Sequence, residues 1–327
     1  MNLYRKLILV ALLLTFGVVA LGAYVRLSDA GLGCPDWPGC YGKLTPIHAS
    51  EHIERALAEN PDGPVSHAKA WKEMVHRYFA GTLGLLILGI AVLSVRLSRQ
   101  SRGTPFLPLV LLGLVVFQAL LGMWTVTELL KPFIVTAHLV GGMTTLALLA
   151  WLWQRESGPS LAGMANVRDL RIWGVLALGA VAVQIALGGW VSTNYAALAC
   201  QDFPLCHGEW VPQMDFYHAF TLHRELGMDA QGNLLSLESL TAIHWTHRLW
   251  ALAVLLLVGI AALKLLKRRG LSAWGALLGV LLAAQIGMGI ANVWMSLPLA
   301  LAVAHNAGAA LLLATLVVIN FRLFRMR

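Results

Sequence analysis

The chain has 327 residues, of which 58% are hydrophobic and only 12% charged. A water-soluble domain carries about twice that charged fraction, so a soluble globular protein is excluded. The net charge of +8 would suit a nucleic-acid partner, but the basic residues are sorted by side of a membrane, and no nucleic acid is needed to explain them.

In chain order, eight nearly charge-free runs read as membrane spans: Leu7–Val25, Val75–Val95, Phe106–Thr125, Phe133–Trp153, Ile172–Ser192, Ala242–Leu263, Ala273–Met295 and Leu299–Phe321. Each is about 20 residues long, enough to cross roughly 30 Å of hydrocarbon. Such runs satisfy their own backbone hydrogen bonds in lipid only as helices, so the expected fold is an all-α integral membrane protein. The first run follows Arg5-Lys6 like a signal peptide, but it continues to Val25 and has an internal counterpart, so it reads as a retained helix.

With the N-terminus inside, the inner segments hold 15 of the 24 Lys and Arg residues, including Arg102, Lys267, Arg268, Arg269 and Arg327. Of the 16 acidic residues only Glu156 and Asp169 fall there. The positive-inside rule then puts both termini in the cytoplasm and the two long loops, 27–74 and 193–241, outside.

The halves repeat. Gly22-Ala23-Tyr24-Val25 precedes Cys34, and Gly188-Gly189-Trp190-Val191 precedes Cys200, at a constant offset of 166. Cys34-Pro-Asp-Trp-Pro-Gly-Cys40 matches Cys200-Gln-Asp-Phe-Pro-Leu-Cys206. Further on, His76-Arg77 matches His247-Arg248, Gln118-x3-Gly122 matches Gln285-x3-Gly289, and His138 matches His305. The chain therefore reads as two tandem four-helix bundles, 1–153 and 171–327, joined by an inner linker, 154–170. An even helix count gives both halves the same orientation, so a pseudo-twofold along the membrane normal is expected. The outer loops are rich in aromatics, and Ala49–Asn60 has helical spacing, so a small ordered cap is expected.

Four histidines fall at corresponding depths. His76 opens the second span, while His138, His247 and His305 lie about five or six residues into the fourth, sixth and eighth. At about 1.5 Å per residue, all four sit within a turn or so of the outer face. One such histidine is an ordinary interfacial residue. Two pairs on a helix bundle suit the axial ligands of haem iron. Arg77 and Arg248 directly follow a histidine at the water-facing rim, where they either pair with haem propionates or simply snorkel. Zinc is a second metal reading, because His244-x-x-His247 shares a helix face, but it needs further ligands.

The cysteine pairs, Cys34/Cys40 and Cys200/Cys206, lie on the oxidising side, where a bridge across five residues would act as a structural clip or a redox-responsive pair. No C-x-x-C-H motif calls for covalent haem attachment. One feature is not duplicated: Glu73 stands one helical turn before His76, where the second half has His244. That carboxylate either acts on what His76 holds or pairs with Arg77 at i+4. Arg26 likewise faces a neutral counterpart, Ser192.

With eight spans, E-x-x-H-R at Glu73–Arg77, His138, His247, His305 and the C-x5-C outer loop, the chain resembles the haem A synthase family over essentially its whole length. The resemblance implies an enzyme of the bacterial cytoplasmic membrane. It would oxidise the C8 methyl of haem O to a formyl group by successive hydroxylations, giving haem A for cytochrome oxidase. It also implies haem b as cofactor, with His247 and His305 as axial ligands, and His76 and His138 attending the substrate haem. Glu73 would be the catalytic acid, and Cys34–Cys40 and Cys200–Cys206 would be disulfides. Implied partners are haem O synthase, cytochrome oxidase assembly factors and an electron acceptor of unknown identity. Two other readings use the same histidines: a non-catalytic di-haem electron carrier, and a haem-handling transporter or assembly factor. Neither accounts for Glu73 or for the divergence of the halves.

Overall fold

The computed structural model describes residues 3–99, 104–157 and 167–325. Arg102, Arg327 and most of the expected inner linker lie outside the described residues. The helices are α1 (Leu3–Leu27), α2 (Ser50–Glu59), α3 (His67–Ser98), α4 (Phe106–Thr127), α5 (Pro132–Ser157), α6 (Arg168–Thr193), α7 (Phe216–Ala219), α8 (Leu237–Leu266), α9 (Ser272–Trp294) and α10 (Leu299–Arg325). Eight of them, all but α2 and α7, are long and apolar enough to cross a membrane. Large aliphatics such as Leu85, Leu256 and Val280 are more than 60% exposed on these helices, as lipid-facing positions require.

Two helices begin five or more residues earlier than hydropathy alone suggests. α3 starts at His67 rather than Val75, and α8 at Leu237 rather than Ala242. The apolar run marks only the length inside hydrocarbon, whereas a helix continues into water wherever it is capped. Ser66 and Ser236 supply those caps, their hydroxyls accepting from the backbone N–H of Lys69 and Ser239. Glu73 and His244 therefore sit inside established helix.

α1 packs on α3 and α5, and α4 on α3 and α5; in the second half α6 packs on α8 and α10, and α9 on α8 and α10. Contacts of α1 with α10, α5 with α10 and α5 with α6 join the halves. α10 touches both halves, and 56% of its apolar window is buried, more than in any other span. Tyr4, Ile8, Ile87, Ile90, Leu111 and Leu149 form one apolar cluster, remote in sequence from the histidine-bearing ends of α3 and α5.

The turns from α4 to α5 and from α9 to α10 are alike. Leu129-Leu130 and Ser296-Leu297 both take positive φ, and the N–H of Leu130 and Leu297 donates back to Thr125 and Asn292 carbonyls. This closes each helix by a left-handed turn, and proline then starts the next one. The turn fixes the register between the glutamine-bearing helix and the histidine-bearing helix that follows.

Both cysteine pairs are disulfides. In the first long loop the Asp36 carboxylate accepts from the N–H of Tyr41 and Gly42. In the second, Asp202 accepts from His207 and Gly208. Each of these pairs has positive φ, so successive N–H groups converge on one carboxylate, and the second position favours glycine. That is the physical content of the repeated C-x-D-x3-C-x-G. The expected helix in the first loop forms as α2, with Ile53 buried against Cys34, Cys40, Ala70 and Met74.

Candidate functional site

Each of the four histidines rests on a glycine of the neighbouring helix. A Cβ added at Gly22 would lie 3.0 Å from Cε1 of His76, at Gly122 3.3 Å from that of His138, at Gly188 3.1 Å from that of His247 and at Gly289 3.2 Å from that of His305. The repeated glycines are thus the floors on which imidazoles lie, because any side chain there would push the ring away. His76 and His138 interact electrostatically across the first bundle, as do His247 and His305 across the second. All four histidines are half-buried as whole residues, with Nδ1 of His76, His138 and His305 fully buried. The structure thus sets His76 near His138 and His247 near His305.

Glutamines one turn before these glycines face the histidines. The Gln184 amide nitrogen lies 3.2 Å from both ring nitrogens of His247 and donates to its carbonyl. Gln285 donates to the His305 carbonyl at 2.9 Å, with its amide 3.4 Å from that ring. Gln118 packs into the space left by Gly141, one turn beyond His138, as Gln285 does at Gly308. Sequence reasoning paired Gln118 with Gln285 and missed Gln184. The same Gln-x3-Gly spacing, applied to the glycine that precedes Cys200, would have found it.

Glu73 is 5% exposed. Its carboxylate accepts from the Cys34 N–H at 2.9 Å and from the Arg77 guanidinium at 2.5 Å. Arg77 also donates to the carbonyls of Asp36, Pro38 and Gly39. In the second half Arg248 donates to the carbonyls of Cys200, Asp202 and Leu205. Both arginines therefore seat a disulfide loop on the mouth of a bundle. His244 occupies the place of Glu73, 3.3 Å from the Cys200 N–H and 3.2 Å from Arg248 Nε. Both partners are donors. A carboxylate accepts both at once, but a neutral imidazole has only one acceptor nitrogen. His244 is thus directed at the loop rather than sharing a ligand set with His247.

Outside the spans, the Asp202 carboxyl is held below its ordinary value of 3.8, first by the Gly208 N–H and also by that of His207.

The donor set suits haem. Nδ1 of His76, His138 and His305 is buried without a hydrogen-bond partner, as is Oε1 of Gln184 and of Gln285. Buried polar atoms of this kind call for a further partner. Paired neutral imidazoles beside glycine floors offer iron its ligands and a flat ring its space. Cys200, Cys206 and His207 also cluster, but both sulfurs are tied up in the disulfide.

Fold and site together describe a helical membrane protein with two pairs of glycine-backed histidines. The chain matches the family of cytochrome oxidase assembly proteins termed COX15-CtaA over residues 5–317 and belongs to that family. It is 41% identical to a protein of Shewanella oneidensis named "Heme A synthase", across 97% of this chain and 96% of the relative. Similar proteins of the same name occur in Caulobacter sp. strain K31, 29% identical over 97% and 94% of the two chains, and in Shouchella clausii, 29% identical over 75% and 80%.

Proposed function

We propose that the chain is the oxidoreductase that converts haem O to haem A for cytochrome oxidase, in a bacterial cytoplasmic membrane. The observation that carries this reading is the pair of like histidine sites, each with two glycine-floored imidazoles, of which only the first has a buried carboxylate one helical turn from a histidine. A carrier or a transporter needs the pockets but not that difference.

In this reading His247 and His305 hold haem b in the second half, and His76 and His138 hold the substrate haem O in the first. Bound haem b supplies one-electron redox chemistry. The chain's own residues do the rest. The glycine floors and the left-handed turns fix the imidazoles. Glu73, kept in place by the Cys34 N–H and Arg77, stabilises positive charge developing at the methyl centre or takes a proton from the water that attacks it. Arg77 and Arg248 are the propionate candidates, a role they would share with the loop carbonyls they already hold. The two disulfides keep those loops seated over the pockets.

The same reading takes 1–153 and 171–327 as two four-helix halves about a pseudo-twofold along the membrane normal, with both termini cytoplasmic and the cysteine loops outside. It is supported where the halves meet. Arg26 donates to the carbonyl of Ser192, and Tyr195 donates to Asp29, each pair 166 residues apart. Near a twofold, equivalent positions face one another.

The test is the haem content of the purified protein, followed by chromatography. We expect haem b together with haem O or haem A, and loss of haem b alone from His247→Ala. Two haem b and no conversion would establish the electron carrier instead. Glu73→Ala is expected to keep both haems and lose turnover by about 100-fold or more; conversion at the normal rate would end the catalytic assignment.

A further inference from the structure

α3 packs on α1 in register past the first histidine. His76 rests on Gly22, and one turn nearer the loop-bearing end the Lys72 ammonium lies over the Tyr24 ring, 5.1 Å from its centroid. Residues four apart share a helix face, so Lys72 and His76 point the same way, about 5.4 Å apart along the helix. Lys72 is half-buried. Among the described residues it makes no hydrogen bond and no ion pair.

The second half closes the same corner. Gly188 backs His247, and two residues further on Trp190 packs in one buried cluster with Ile243, which stands four before His247. The Trp190 indole donates to the Ala219 carbonyl. The Arg224 guanidinium over that indole is committed to Asn194, Thr221 and Met228. A cation without a partner of its own, one turn ahead of the histidine on the same face, therefore belongs to the first site and not to the second.

Arg77 is nearer in sequence but differently placed. Its guanidinium already donates to the carbonyls of Asp36, Pro38 and Gly39 and to Glu73. To take another carboxylate it must share or release the loop. Lys72 carries three donors on a flexible stem and rests only on an aromatic face, so it meets a carboxylate without breaking a hydrogen bond. Haem O carries two propionates on one edge of its ring, both ionised at neutral pH. A lysine one turn along the ligand's own helix face is placed to meet such an edge.

We propose that Lys72 binds a propionate of the substrate haem in the first site, while Arg77 holds the loop and Glu73. This rests on the reading of His76 as attending haem O. It deepens that reading by naming the residue that recognises the substrate's acid groups.

The probes are haem O and its dimethyl ester, which keeps the ring and iron and lacks the propionate charge. The protein, purified with haem b in place and without haem O, is titrated with each in detergent, and binding is read from the Soret absorbance. The wild type is expected to bind haem O about tenfold more tightly than the ester. Lys72→Met should weaken haem O binding by about that factor and leave ester binding and haem b content unchanged, so that the preference disappears. Lys72→Arg should keep the preference. If Lys72→Met does not accumulate, Lys72→Gln is expected to give the same loss of preference. The assignment is overturned if the wild type shows no preference, or if the uncharged variant prefers haem O as the wild type does. It is also overturned if that variant loses haem O and ester equally, as a lysine that merely packs on Tyr24 would require. A wild type that binds neither probe would instead overturn the haem reading itself, and the assignment with it.

Discussion

The Asp202 carboxylate shows how much one side chain settles in a disulfide loop. It accepts the N–H of His207 and Gly208 at 2.9 and 2.8 Å, and its folded pKa lies below the ordinary 3.8. A lowered carboxyl pKa means the unfolded loop binds protons more readily than the folded one. The loop's stabilisation from Asp202 is therefore complete above about pH 4, and it is lost as pH falls through the lowered value. Hydrogen exchange should show the Gly208 amide protected at neutral pH and faster in Asp202→Asn at the same pH; equal protection in both would disprove the clamp. The aspartate and the glycine were both visible as a repeated motif. The partners of Arg77 and Arg248 were not. Their carbonyls lie about 40 positions away along the chain, and nothing in local sequence says which backbone oxygens a guanidinium will meet. The two readings that sequence left open for Glu73, chemistry on the pocket or an ion pair with Arg77, are both compatible with where it lies. The ion pair is present, and the carboxylate still stands at the pocket mouth.

At the level of the helix, the histidine faces depend on what the opposing helix omits. Gly188→Val places methyl groups where the His247 ring lies, so haem b affinity is expected to fall by about tenfold or more. Gly179, on the same helix, has nothing within 4 Å of an added Cβ, and Gly179→Val should retain haem b. Equal haem b content in the two variants would mean that the glycine does not set the ring's position. Hydropathy gave the number of spans and most of their bounds, because the bilayer imposes a length. It missed the N-terminal extensions of α3 and α8, since polar residues such as His67, Lys69 and Lys72 look like loop until Ser66 caps them. Gln184 escaped for a different reason. The repeat was aligned through histidines and cysteines, and α1, the internal counterpart of α6, has Val18 where the match should be.

Taken whole, the molecule is held together by the contacts of α1, α5, α6 and α10 and pinned at the loop-bearing end by Arg26. This side chain is 13% exposed and donates to the Tyr195 hydroxyl and the Ser192 carbonyl. Replacing it with serine removes charge-assisted bonds of about 1 kcal/mol or more. Arg26→Ser should lower the unfolding temperature in detergent by about 2–4 °C, and an unchanged melting curve would show that the pin contributes nothing. The sequence repeat was legible from offsets of 166 and 167, but the side chains that meet across the boundary were not, because a repeat says which positions correspond and not which ones touch.

That boundary has a historical implication. Two copies of the first half, joined in the way these halves are joined, would place Arg26 of each copy beside Asp29 of the other, because Arg26 meets Tyr195, the counterpart of Asp29. Opposite charges would then face each other across the seam. The Ser192 contact would also survive in such a pair, since its acceptor is a backbone carbonyl that any residue supplies. A single gene encoding both sides of the seam let each side change alone. The same freedom would have let Glu73 and His244, and Val18 and Gln184, part company.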